Sequence, residues 1–113
     1  MIWKKVNPPC KDSQLDPDFF ALLTQLQNSI SQELTITSAY RTYEYELSKG
    51  RKGTSSHCKG LAVDISCCNS SLRAALVSKA FALGIDRIGI YPTFIHLDVD
   101  KSKVHPCIWL NLL

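Results

Sequence analysis

Two histidines and an aspartate carry the chemistry most plainly written in this chain. His57 stands seven positions before Asp64, with Gly60 between them, in the run Ser55-Ser56-His57-Cys58-Lys59-Gly60-Leu61-Ala62-Val63-Asp64-Ile65. The second histidine, His96, lies in the alternating stretch Phe94-Ile95-His96-Leu97-Asp98. Two imidazoles and one carboxylate make a borderline-hard donor set suited to one Zn²⁺ ion, and three protein ligands rather than four leave a coordination position open for water. An ion held in this way polarises a carbonyl and activates water, which is hydrolytic chemistry. A rival ligand set comes from the cysteines, since Cys58 adjoins His57 and Cys67-Cys68 are vicinal. The paired C-x-x-C spacing of structural zinc sites is missing, however. The five cysteines are an odd number, and without a secretory signal free thiols are expected. The bland alternative is a metal-free protein whose polar residues are simply satisfied in its core.

Positioning those groups requires strands that alternate and helices that cover them. Residues 1–15 read as an extended lead-in segment, because Pro8-Pro9 excludes helix locally. Asp16-Pro17 is a helix start, and Phe19, Phe20, Leu22, Leu23, Leu26 and Ile30 recur at helical spacing, predicting a helix over 17–31. Leu34 to Ser38 is a short β-branched strand that runs into Ala39-Tyr40-Arg41 and delivers Arg41 to the rim of a cleft. A short helix over 43–49 closes at Gly50, and Lys49 to Ser56 reads as a surface loop leading to His57.

Gly60 to Ser66 is the next strand. Leu61, Val63 and Ile65 face one way along it, and Ala62, Asp64 and Ser66 the other. A carboxylate in so apolar a strand needs a partner, either a metal or an arginine. A packing helix follows over 70–83, capped by Asn69 or Ser70 and ended by Gly84. Arg87–Tyr91 and Phe94–Val99 read as a hairpin, with Phe94, His96 and Asp98 on one face of its second strand. The tail, including His105 and Trp109, is expected to pack on a sheet edge. The element order implies an α+β fold: a small, mainly antiparallel sheet with helices packed on one face and the ligands on the other.

Composition sets the outer bounds. A chain of 113 residues makes a single domain, 1–113. Its net charge of +3 is dispersed, with no Lys/Arg tract to suggest nucleic acid, and no stretch approaches a membrane span. No apolar run near Met1 serves as a signal-peptide core, so the expectation is a monomer made in the cytoplasm, without an export signal of its own.

Taken together, Ser-Ala-Tyr-Arg at 38–41, the Ser-x-His-x-x-Gly-x-Ala-x-Asp motif from Ser55 to Asp64, and Ile-His-Leu-Asp at 95–98 resemble the zinc D-Ala-D-Ala carboxypeptidase family. That family includes phage endolysins that cut peptidoglycan stem peptides, and it shares its fold with the hedgehog signalling domain. The resemblance implies that His57, Asp64 and His96 bind zinc and that Arg41, with Ser55 beside it, holds the substrate. A guanidinium suits that task because its planar fork grips a carboxylate through two bonds. The resemblance further implies a peptidoglycan stem peptide as substrate and action at the bacterial cell wall after release from a phage or prophage host.

One position departs from the family pattern. Catalytic members place a Glu three residues before the last histidine or a His two before it; here those positions hold Thr93 and Phe94. Asp98 is the substitute base on the same strand face, about 6–7 Å along the strand from His96. It serves equally well as a carboxylate that orients a histidine or pairs with Arg41. His105 is a weaker candidate. The alternative to an enzyme is a zinc-containing but catalytically silent module that binds cell-wall peptide or a protein partner.

Overall fold

The computed structural model describes residues 1–3 and 6–113; the Lys4-Lys5 part of the lead-in segment lies outside the described residues. That segment is not extended throughout, since Asp12–Gln14 form one 3-10 turn. Gln14 creates it locally, its Oε1 accepting the Lys11 N–H at 2.8 Å.

Helix α1 spans Pro17–Asn28 and begins where the sequence predicts, with the Asp16 carboxylate accepting the Phe19 N–H at 3.0 Å. It ends short of residue 31 because side chains take over the backbone's bonding. The Ser29 hydroxyl donates to the Leu26 carbonyl at 2.8 Å. The Gln27 amide accepts the Leu34 N–H at 2.8 Å and donates to the Gln32 carbonyl at 3.0 Å. The chain therefore reverses while Ile30 still reaches the core.

Strand β1 is Ile36–Ser38, two residues shorter at its start than expected. Immediately before it, the Leu34 carbonyl and the Ile36 N–H both bond to Ile2, which forms an isolated parallel bridge with Thr35. Helix α2 (Tyr43–Ser48) is capped by Thr42, and strand β2 is Ala62–Ser66. Helix α3 (Ser70–Ala82) is capped by Asn69, whose Oδ1 accepts the Leu72 N–H at 2.7 Å. Strands β3 (Arg87–Ile90) and β4 (Phe94–Asp98) form the expected hairpin, and the tail contributes strand β5 (Cys107–Leu110).

The five strands form one sheet in the order β1-β2-β4-β3-β5. Every neighbouring pair is antiparallel except β3 and β5, which run parallel. The expectation of a small, mainly antiparallel α+β sheet is met. Alternation along the strands then divides the sheet into two unlike faces. Val63, Ile65, Ile88, Ile95 and Leu97 are fully buried in a core shared with Phe19, Leu23 and Leu26 of α1 and Leu72 and Leu76 of α3. Each such side chain contributes about 1.5–3 kcal/mol by leaving water. The opposite face carries Asp64, His96 and Asp98. Among the described residues no helix is long and apolar enough to cross a membrane.

Candidate metal centre

The polar face is organised as a row across the sheet. Ser38 pairs with Asp64, Asp64 with His96, His96 with Gly89, and Gly89 with Trp109, so five strands each place one residue on a single line. Strand register thus puts Asp64 beside His96 without help from any loop. Their side chains meet, with His96 Nδ1 3.0 Å from Asp64 Oδ1.

His57 arrives from a 3-10 turn, Ser56–Lys59, just ahead of β2. Ser55 caps this turn, its hydroxyl accepting the His57 N–H at 3.2 Å. Gly60 closes it at φ +70°, where a Cβ would lie 2.9 Å from the Gln14 carbonyl oxygen. This explains the glycine between the two ligands: the left-handed turn and the lack of space both demand it. The turn is also strapped from behind by the buried carboxylate of Asp100. That carboxylate accepts from the Ser56 hydroxyl at 2.8 Å and from Lys59 Nζ at 3.0 Å. Burial works against the charge on Asp100, yet bonds from Ser102, Ser56 and Lys59 hold its carboxyl well below the usual carboxylate range.

Both imidazoles have their remote nitrogens occupied. The Ala39 carbonyl lies 2.7 Å from His57 Nδ1; a carbonyl only accepts, so this nitrogen carries the proton and Nε2 turns toward Asp64, 3.4 Å away. Asp98 Oδ2 lies 2.7 Å from His96 Nε2, leaving Nδ1 to face Asp64. His57 Nε2, Asp64 Oδ1 and His96 Nδ1 therefore converge, and one ligand atom from each of the three residues lies within 4.8 Å of the others. With neutral imidazoles, two nitrogen lone pairs would be aimed at a carboxylate oxygen, an arrangement that is repulsive until a cation stands between them. The donor set and the acceptors behind it fit a zinc ion, including the carboxylate–histidine pairing that fixes ligand orientation.

The charges follow the same geometry. Burial opposes ionisation of Asp64, but the two histidines outweigh it and hold its carboxyl far below the ordinary range. Burial likewise opposes the charged form of His96, and its bonds to Asp64 and Asp98 nonetheless raise its pKa. Asp98 is buried and lowered, because His96, the Asp100 N–H and Arg87 overcome the cost of desolvation.

The structure brings six of the residues the sequence singled out to one place, though not always in the expected company. His57, Asp64, His96, Arg41, Ser55 and Asp98 line one open cleft of about 320 Å³. Asp98 lies on the expected face, yet both its oxygens are engaged: Oδ2 with His96, and Oδ1 with Arg87 Nε at 2.8 Å and the Asp100 N–H at 3.0 Å. A carboxylate in that position steers a ring; it is poorly placed to take a proton from water. Its arginine partner is Arg87, not Arg41. Arg41 is tied to the site through its backbone, donating to the His57 carbonyl at 3.3 Å. Its Nε is buried and has no hydrogen-bond partner among the described residues. His105 is exposed and bonds to the Lys103 carbonyl, apart from the cluster.

Arg87, Tyr91, Lys103 and Trp109 also line the cleft, and sequence reasoning assigned them no role there. Parity along 87–91 could have found Arg87 and Tyr91, since Gly89 pairs with His96 and alternate residues share its face. Among the described residues all five cysteines are free, and the metal-competent cluster contains none of them. Burial, with Glu46 adding to it, raises the Cys58 thiol further from its thiolate form.

An α+β sheet that gathers two imidazoles and a carboxylate in an open cleft has the donor set to hold a single metal ion. The peptidase M15 family model matches residues 2–98, and the chain belongs to that family of zinc metallopeptidases. A comparison with curated proteins finds no significant match.

Proposed function

We propose that this protein hydrolyses a peptide bond in the stem peptides of bacterial peptidoglycan, as a carboxypeptidase or an endolysin-type endopeptidase serving phage or prophage lysis at the cell wall. The observation that carries this reading is the convergence of His57 Nε2, Asp64 Oδ1 and His96 Nδ1 beside Arg41 in an open cleft. Zinc bound there supplies the Lewis acidity that polarises a scissile carbonyl and lowers the pKa of water.

The chain's own residues do the rest. Ala39 and Asp98 hold the two imidazoles in the tautomers that present lone pairs inward. Arg41 lines the cleft and offers its guanidinium to a substrate carboxylate, of which stem peptides have several. Ser55 lines the cleft and keeps the His57 turn in place. Asp98 acts by orienting His96. The decisive experiment is mass spectrometry of purified peptidoglycan digested with and without chelator. New peptide termini that vanish on chelation and return with Zn²⁺ support the reading and name the bond; digestion that survives exhaustive chelation rejects it.

A second reading rests on a specific feature of the site. Thr93 and Phe94 occupy the positions where the family pattern puts a base, and Asp98 is fully bonded. A zinc-loaded protein that binds stem peptide but turns over none would be a recognition module rather than an enzyme.

A further inference from the structure

We propose that Trp109 is a positioning residue for the metal ligand His96, held in a slot that Gly89 keeps open. Strand β5 is then part of the metal centre as well as an edge of the sheet. The inference rests on the metal site described above, and it concerns a segment beyond residue 98, where the family match stops.

Gly89 is the first clue. It pairs with His96 on one side and Trp109 on the other. Its φ is not among the positive values that would demand glycine for backbone reasons. The need is for space: a Cβ at this position would lie 2.5 Å from Trp109 Cε2 and 2.6 Å from Nε1. The missing side chain lets the indole lie across the β3 backbone and reach the imidazole of the next strand.

The indole then meets the His96 ring with centroids 5.3 Å apart and planes inclined at 48°. His57 meets the same ring edge-on, with centroids 5.1 Å apart and planes at 68°. His96 thus contacts two rings while Asp98 holds its Nε2. The indole is itself secured twice. Its Nε1–H donates to the Tyr91 hydroxyl at 3.1 Å, and Tyr91 stacks on Phe94 with centroids 4.3 Å apart. The Arg87 guanidinium lies 5.1 Å from the indole centroid. The same guanidinium holds Asp98, so Trp109, Arg87, Asp98 and His96 form a closed circuit in which each member restrains the next. Without the indole, the imidazole gains freedom to turn about its Cβ–Cγ bond, and Nδ1 leaves the donor set.

The test compares Trp109→Ala, Trp109→Phe and Gly89→Ala with the full wild-type chain. Zn²⁺ affinity is measured by competition with a chromogenic chelator, alongside the absorption spectrum of the Co²⁺-loaded protein and the melting temperature of the metal-free form. Trp109→Ala should weaken Zn²⁺ binding about tenfold or more, the lower end of what losing a ligand-orienting partner costs, and should shift the Co²⁺ bands. Trp109→Phe should recover most of the affinity. Gly89→Ala, which retains the indole but displaces it, should reproduce the loss, and it gives the answer even where Trp109→Ala folds poorly. Wild-type affinity and an unchanged Co²⁺ spectrum in Trp109→Ala or Gly89→Ala, whatever the melting temperature, would overturn the proposal. Wild-type protein that binds zinc but cleaves no stem peptide would refute the peptidase reading and leave this comparison decisive. Wild-type protein that takes up no zinc would refute both.

Discussion

The two faces of the sheet are made by the same strands and are held together by opposite means. On the helix side, Val63, Ile65, Ile88, Ile95 and Leu97 are stabilised by exclusion from water, and any well-shaped apolar neighbour serves. On the cleft side, their immediate neighbours Asp64, His96, Asp98 and Arg87 are stabilised by specific bonds, each group satisfying the next. A one-residue step along β4 crosses from one regime to the other. The scaffold face tolerates change in identity and punishes loss of volume, whereas the cleft face tolerates little change in atom type or angle.

Substituting a ligand should break the comparison most sharply. In His57→Ala the zinc content, read by metal analysis after dialysis, should fall to background, and all chelator-sensitive turnover should go with it. The apolar core should survive, giving a folded far-UV spectrum and a cooperative melt. Stoichiometric zinc in that variant would refute the assignment of His57.

Leu97→Ala tests the other face, one position from His96. It should cost about 2–5 kcal/mol in denaturant unfolding. Activity per folded molecule should be nearly retained at low temperature, because the bonds around His96 lie on the opposite side. A variant that keeps its stability but loses zinc would show the faces to be coupled.

Asp98→Asn sharpens the distinction between orienting a ring and taking a proton. Zinc affinity should drop about 10–100-fold. If Asp98 orients His96, turnover should largely return when zinc is raised to saturation; a loss that persists at saturation would make Asp98 the base.

The smallest effect is expected at the strap behind the His57 turn. The Asp100 carboxyl titrates below its ordinary range in the folded protein, so its contribution to stability is complete above the usual carboxylate pKa, about 4, and is lost as pH falls below it. Lys59 is substantially exposed, which limits the gain to about 1 kcal/mol. Asp100→Asn should therefore lower the melting temperature by several degrees near neutral pH. It should also flatten the acid limb of the stability profile; a profile parallel to wild type would remove Asp100 from that role.

Much of this arrangement was legible in the sequence because it depends on local periodicity. Parity alone placed Asp64, His96 and Asp98 on one face, and Asp16-Pro17 marked the start of α1. What stayed hidden depends on contacts between distant segments. Nothing local in 99–106 announces that the tail returns parallel to β3 and brings Trp109 over Gly89. The spacing of Asp98 from His96 fixed a distance along the strand but not which imidazole nitrogen it would meet. Nor could periodicity show that Gln27 would end α1 early by bonding a segment downstream.

The two hydrogen bonds that the main chain of residues 39–41 makes to His57 carry a further consequence. Ala39 holds the imidazole and Arg41 holds the carbonyl of the same residue, so the guanidinium's base and the metal ligand are riveted together at a set separation. On the proposed reading, this makes the cleft a gauge. A substrate gripped by its carboxylate presents to the ion whichever bond lies at the right span, so the choice of scissile bond becomes a measurement of length rather than a recognition of side chains.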